Sequence, residues 1–206
     1  NEDVVFASGI PVPEGLIVTE RDWYKDAVSA DGKMICTDPY IDANTGSLVI
    51  TVAKIIKKGT ELFCVVGADV TIDEFVAKCS EFQIYDNSYA FLLSTTGDFI
   101  VHENADFLPS TVDGAAKSVN VSDVPQYSGN EFVPNTVFKT KDYNNKTVMI
   151  CTLPLSNGWQ LGYSIDYREY SRSLRMLRTV YIAIFVPLNP RKYSFQRGQE
   201  AQSFLR

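Results

Sequence analysis

Arg21, Trp23 and Tyr24 fall within one heptapeptide, RDWYKDA (residues 21–27). Tyr40 and Asp42 follow in PYID, and Asp69 stands near the end of the apolar run CVVGADV. These residue types suit recognition of a small zwitterion. A guanidinium binds a carboxylate through two parallel hydrogen bonds. Aspartates accept from an ammonium group, and an indole or phenol ring adds a cation–π face. A carboxylate inside an apolar, strand-like run is costly to bury without a partner, which singles out Asp69. The same charges have an ordinary use as well. An arginine and two aspartates can close on one another as an internal salt bridge that contributes little. At this level both readings stand.

Catalysis finds no comparable constellation. The chain contains no G-x-S-x-G, no Walker loop, no G-x-G-x-x-G and no H-E-x-x-H. Its single histidine, His102, reads as exposed or at the edge of a core, and no nucleophile–base pair can be built around it. The expectation is a protein that is not an enzyme and carries no cofactor or metal. Four cysteines (Cys36, Cys64, Cys79, Cys151) form no C-x-x-C pair. Cys36 and Cys64 lie in apolar runs and read as small buried hydrophobes. The net charge of -6 leaves no basic excess, which argues against nucleic-acid binding.

The elements that would position the first set of residues follow from periodicity. With 206 residues, 45% of them hydrophobic, the chain has room for one large domain or two small ones. Residues 33–37, 48–56 and 62–70 are β-branched, apolar runs that read as strands, with Asn44-Thr45-Gly46 as a turn between the first two. Thr71-Ile72-Asp73-Glu74 has the form of a capping box and predicts a helix of about ten to twelve residues. The pattern then repeats. Residues 89–94 and 99–102 flank the turn TTGD, residues 103–135 read as loop, and residues 136–140, 147–153 and 159–165 read as three further strands. Helical spacing returns over residues 167–186. The fold class is therefore α+β, with two tandem modules over residues 1–79 and 80–166, each an antiparallel sheet flanked by helices and loops. Residues 167–206 form a C-terminal helix and tail. Within it TVYIAIFV (residues 179–186) falls short of the roughly 20 residues of a membrane span. It follows Arg172, Arg175 and Arg178 and reads as the start of a clipped span, with a foreign or altered tail behind it.

The order R-x-W-Y-x-x-A, then Y-x-D before a T-G turn, then I-T-x-A and V-V-G-x-D-V, resembles the double Cache sensor domain. In this chain the pieces are residues 21–27, Tyr40-Ile41-Asp42, Thr45-Gly46, Ile50-Thr51-Val52-Ala53 and Val66-Gly67-Ala68-Asp69-Val70. The resemblance continues through YAFLL with Thr96-Gly97-Asp98 to LSNGW (residues 155–159). Such domains sit outside the cytoplasm in chemoreceptors, sensor histidine kinases and cyclic-di-nucleotide enzymes. The resemblance implies two PAS-like modules with the ligand bound in the first, membrane-distal one, a membrane-anchored parent, and a homodimer as one option. It looks most like the amino-acid-binding subset. There Arg21 and Trp23 would hold the carboxylate of an L-amino acid, Tyr24, Asp42 and Asp69 would hold its amino group, and Tyr40 would line the pocket. Leu16 departs from the subset, which has a tyrosine five residues before the arginine, so amines, purines, organic acids or a protein partner stay open. The long N-terminal helix usual in such domains finds no room in residues 1–20.

Overall fold

The computed structural model describes residues 4–188 except residues 8, 10, 82, 128 and 131, with side chains as far as residue 180. Two antiparallel sheets follow one another along the chain. The first contains β1 (Ile35–Cys36), β2 (Tyr40–Ile41), β3 (Leu48–Lys58) and β4 (Glu61–Thr71). β3 and β4 form a long hairpin that turns at Gly59, whose φ of +67° glycine adopts without strain. β1 and β2 pair with successive parts of the other side of β3.

Alternation along β3 puts Thr51, Ala53 and Ile55 on one face and Ile50 on the other. The register then sets Asp69 opposite Thr51, Gly67 opposite Ala53 and Val65 opposite Ile55, all on the first face. Helix α1 (Asp22–Ser29) covers that face. Its residues Trp23 and Ala27, one turn apart, pack with Ala53, Ile55, Ile35 and Val65. RDWYKDA is thus the opening of a helix, with Arg21 as its N-cap. The helix ends where Asp31 and Gly32 take φ of +52° and +96°.

Helix α2 (Ile72–Ser80) leads into the second sheet. The expected capping box is present: Glu74 N donates to Thr71 Oγ1 at 3.3 Å, and the Glu74 carboxylate accepts from Thr71 N. Next come β5 (Ser88–Leu93), β6 (Phe99–Val101), the small hairpin of β7 (Ser110–Val112) and β8 (Ala115–Lys117), and then β9 (Val137–Lys141), β10 (Thr147–Pro154) and β11 (Gln160–Asp166). The five-stranded order is β6-β5-β11-β10-β9. The β7–β8 hairpin corrects the reading of residues 103–135 as loop, and its turn is Asp113-Gly114, both at positive φ.

One face of this sheet carries a core of Phe91, Phe99, Tyr127, Val148 and Ile150. His102 lies inside it at 1% exposure, which corrects its placement at an exposed or core-edge position. Phe107 and Tyr143, contributed by the connections beyond the strands, close over its ring at centroid distances of 4.9 and 5.2 Å. Its Nδ1 accepts from Asn104 N, while burial pushes its pKa down to about 3 and keeps the imidazole neutral.

The opposite face belongs to a shared core. Ile50 from the first sheet, Ile72 from α2, and Leu92, Ile100, Val101 and Trp159 from the second pack as one cluster. Burying such side chains stabilises by about 1.5–3 kcal/mol each, so the cluster ties the sheets together. Helix α3 (Tyr167–Leu188) continues from β11 and contains residues 179–186. Among the described residues no helix is long and apolar enough to cross a membrane, and the expected foreign tail lies largely outside them. All four cysteines are free and half-buried.

Candidate functional site

The face of the first sheet under α1 opens into a cavity of about 360 Å³. Arg21, Trp23, Tyr24, Tyr40, Asp42 and Asp69 all line it. Three local devices bring them together. Helix α1 supplies the first group: Trp23 turns toward the sheet, and Arg21 stands at the helix N-terminus. Gly67 admits the indole, since a Cβ there would come within 3.3 Å of Trp23 Cζ3. Strand β2 aims Tyr40 onto the same face, with Asp42 just beyond in a turn closed by Thr45. Strand β4 presents Asp69 directly opposite Thr51.

Thr51 is the residue that sequence reasoning missed. It is buried at 1% exposure, and its hydroxyl donates to Asp69 Oδ1 at 2.6 Å. That proton being committed, Tyr40 donates the second bond, OH to Thr51 Oγ1, also 2.6 Å. The only signal available was the match of Ile50-Thr51-Val52-Ala53 to a family strand; its importance comes from the cross-strand register. Asp69 itself is exposed on β4, so the cost of burying a lone carboxylate, which first drew attention to it, does not apply.

The charges are held apart. Among the described residues Arg21 forms no ion pair, and its guanidinium carbon lies 5.8 Å from the centre of the Tyr40 ring. The internal salt-bridge arrangement is therefore not the one adopted. Arg21 stands where the first N–H groups of α1, those of Asp22 and Trp23, have no intrahelical acceptor. A cation at this positive end of the helix is unfavourable until an anion joins it. On the other side, burial raises the Asp42 carboxyl, but hydrogen bonds from the Thr45 hydroxyl and backbone outweigh it and keep Asp42 below its ordinary range. Both bonds go to Oδ2. Burial raises Tyr40, assisted by Asp69 and Asp42 and opposed by Thr51 and Arg21, so the phenol stays protonated. The cavity thus carries an anion-accepting group and two cation-accepting ones.

A second cavity, about 510 Å³, lies between the sheets and shares Arg21, Trp23 and Tyr40 with the first. Its walls carry Trp159 and the carboxylates Glu20, Asp22, Asp26 and Asp38 but neither Asp42 nor Asp69, so it is in the smaller cavity that Arg21 meets those two aspartates. Among the described residues no group of three or more His, Cys, Asp or Glu is placed to hold a metal.

Comparison with known proteins adds a second line of evidence. The ligand-binding domain of the Pseudomonas fluorescens chemoreceptor CtaA, solved with L-serine, superposes with a TM-score of 0.61 at 27% identity over 78% of this chain and 66% of that one. The ligand-binding domain of the Pseudomonas aeruginosa PAO1 amino acid chemoreceptor PctB, solved with L-Arg, gives 0.59 at 26% identity over 78% and 65%. The methyl-accepting chemotaxis protein McpB of Bacillus subtilis is 37% identical over 45% of this chain, which spans only 14% of McpB. The Cache domain family matches residues 1–174. The fold is the α+β, PAS-like one of these ligand-binding domains, and the chain belongs to the Cache domain family.

Proposed function

We propose that this chain is the extracytoplasmic ligand-sensing domain of a membrane-anchored chemoreceptor and that its first module, residues 1–79, binds a free L-amino acid. The observation that carries the reading is the convergence on one cavity of two aspartates and an arginine at a helix N-terminus that forms no ion pair among the described residues. Arg21, with Trp23 and the first N–H groups of α1, takes the α-carboxylate. Asp42 and Asp69, with Tyr24, take the α-ammonium, and Tyr40 lines the space between. The relatives being chemotaxis proteins favours a chemotaxis output over a kinase one. Binding both poles joins α1 to β4 and favours the arrangement in which they close. The shared core around Ile50, Ile72 and Trp159 offers that shift a packed route into the second module and α3.

Titration calorimetry with the common L-amino acids tests this reading directly. At least one should bind, and Arg21→Ala should weaken it by at least about 100-fold through the lost charge-assisted bonds, with the unliganded melting temperature unchanged. Full affinity in the Arg21→Ala protein would return Arg21 to a surface role.

A further inference from the structure

Away from the two poles the cavity wall changes character. Among the described residues, no charged side chain lines it apart from Arg21, Asp42 and Asp69. Ile17 points outward at 48% exposure, whereas Leu16 and Val18, which opens the 3-10 turn Val18–Glu20 ahead of α1, are half-buried and line the cavity. On β4, the row that begins with Asp69 continues through Gly67 to Val65 and Phe63, again toward the cavity. Phe6 completes this wall. Of the polar residues on it, Asn44 lies near Asp42, Thr51 is already committed to Asp69, and Thr19 adjoins Val18.

We infer that the cavity selects amino acids with uncharged, aliphatic side chains, and that Leu16 is a residue setting this selectivity. The inference rests on the amino-acid reading above. With the α-carboxylate on Arg21 and the α-ammonium on the aspartates, every charge that the described residues bring to the wall is engaged. A lysine, arginine, aspartate or glutamate ligand would then bring its side-chain charge against Leu16, Val18 and Val65 with no counter-charge, which is strongly unfavourable. A branched aliphatic side chain instead buries apolar surface there. The cavity volume is ample for a whole amino acid of this size.

The experiment compares affinities for L-leucine, L-isoleucine and L-valine with those for L-aspartate, L-glutamate, L-lysine and L-arginine. The aliphatic set should bind at least about 100-fold more tightly than each charged one. Leu16→Glu should weaken leucine by about tenfold or more and strengthen lysine and arginine relative to it. Leu16→Gln, with a similar shape and no charge, should weaken leucine without favouring lysine, and serves if the glutamate variant fails to fold. Charged amino acids binding within tenfold of leucine would overturn the selectivity while leaving the amino-acid site intact. An unchanged leucine affinity in both variants would remove Leu16 from its role. Binding of no amino acid at all would instead overturn the proposed function, and this inference with it.

Discussion

The two sheets use similar pieces to opposite ends. In the second, Phe91, Phe99, Phe107, Tyr127, Phe132 and Tyr143 crowd one face, with rings stacked or edge-on at 5–6 Å spacings such as the 5.3 Å of Phe99 and Phe107. Even Gly162 is glycine because the Phe91 ring lies where a Cβ would be. In the first, the corresponding covering element is a single short helix. It seals one end with Ala27, Ala53 and Ile55 and leaves the other end open beside Asp69. A face filled with aromatic rings is closely packed, and the cavity at its edge beside Tyr89 and His102, about 260 Å³, is smaller than the one under α1. A face half-covered by α1 keeps polar groups such as Arg21 unsatisfied until something enters. On the proposed function, filling versus hollowing separates a structural module from a binding one, without any change in the type of sheet.

The largest effect should come from emptying the filled side. Phe91→Ala, at a residue 1% exposed, should cost about 3–5 kcal/mol, measured by urea unfolding. A single transition at lower urea would show that the shared core makes the two sheets unfold together; a separate early transition would uncouple them. Acid should act next. His102 has its folded pKa lowered to about 3 from an unfolded value near 6.5, so its contribution is complete above pH 6.5 and is lost as pH falls toward 3. Each pH unit in that window should remove up to about 1.4 kcal/mol, and His102→Phe should flatten the dependence between pH 6.5 and 5. An equally steep fall in the variant would assign the effect to other groups. The smallest stability change belongs to the hollow side. Thr51→Val should alter stability by no more than about 1 kcal/mol, because Tyr40 is only half-buried and Asp69 is exposed to water. It should nonetheless weaken amino-acid binding by about tenfold, since Asp69 and Tyr40 lose the hydroxyl that orients them. An unchanged affinity would show that the cross-strand bond does not position the site.

What could be read in advance follows the range of the physics. The capping box at Thr71 and Glu74 is a four-residue device, and the long strands β3, β4, β10 and β11 carry strong β-branched patterns. These local features were legible. Strand β2 is only Tyr40–Ile41, too short for any period. Helix α1 has arginine at its N-cap, without the usual side-chain acceptor, and so gave no start signal. The Asp113-Gly114 turn was there to be seen, but the flanking strands of three residues lacked an apolar pattern. His102 needed tertiary information: its burial depends on Phe107 and Tyr143, which arrive from separate connections. The candidate site divides in the same way. Its charged and aromatic members were visible by type and order, whereas Thr51 looks like any β-branched strand residue until Asp69 is set across from it.

The chain has two tryptophans, and the fold gives them different posts. Trp23 stands half-exposed on the wall of the smaller cavity, while Trp159 is buried at 3% exposure in the core between the sheets, beside the larger one. The protein thus carries two intrinsic optical reporters. With Trp159→Phe, the remaining emission follows what happens at the cavity; with Trp23→Phe, the remaining, bluer emission follows only the seam between the sheets. Recording both during a rapid-mixing titration would time the arrival of a ligand against the movement it sets off, with no dye attached.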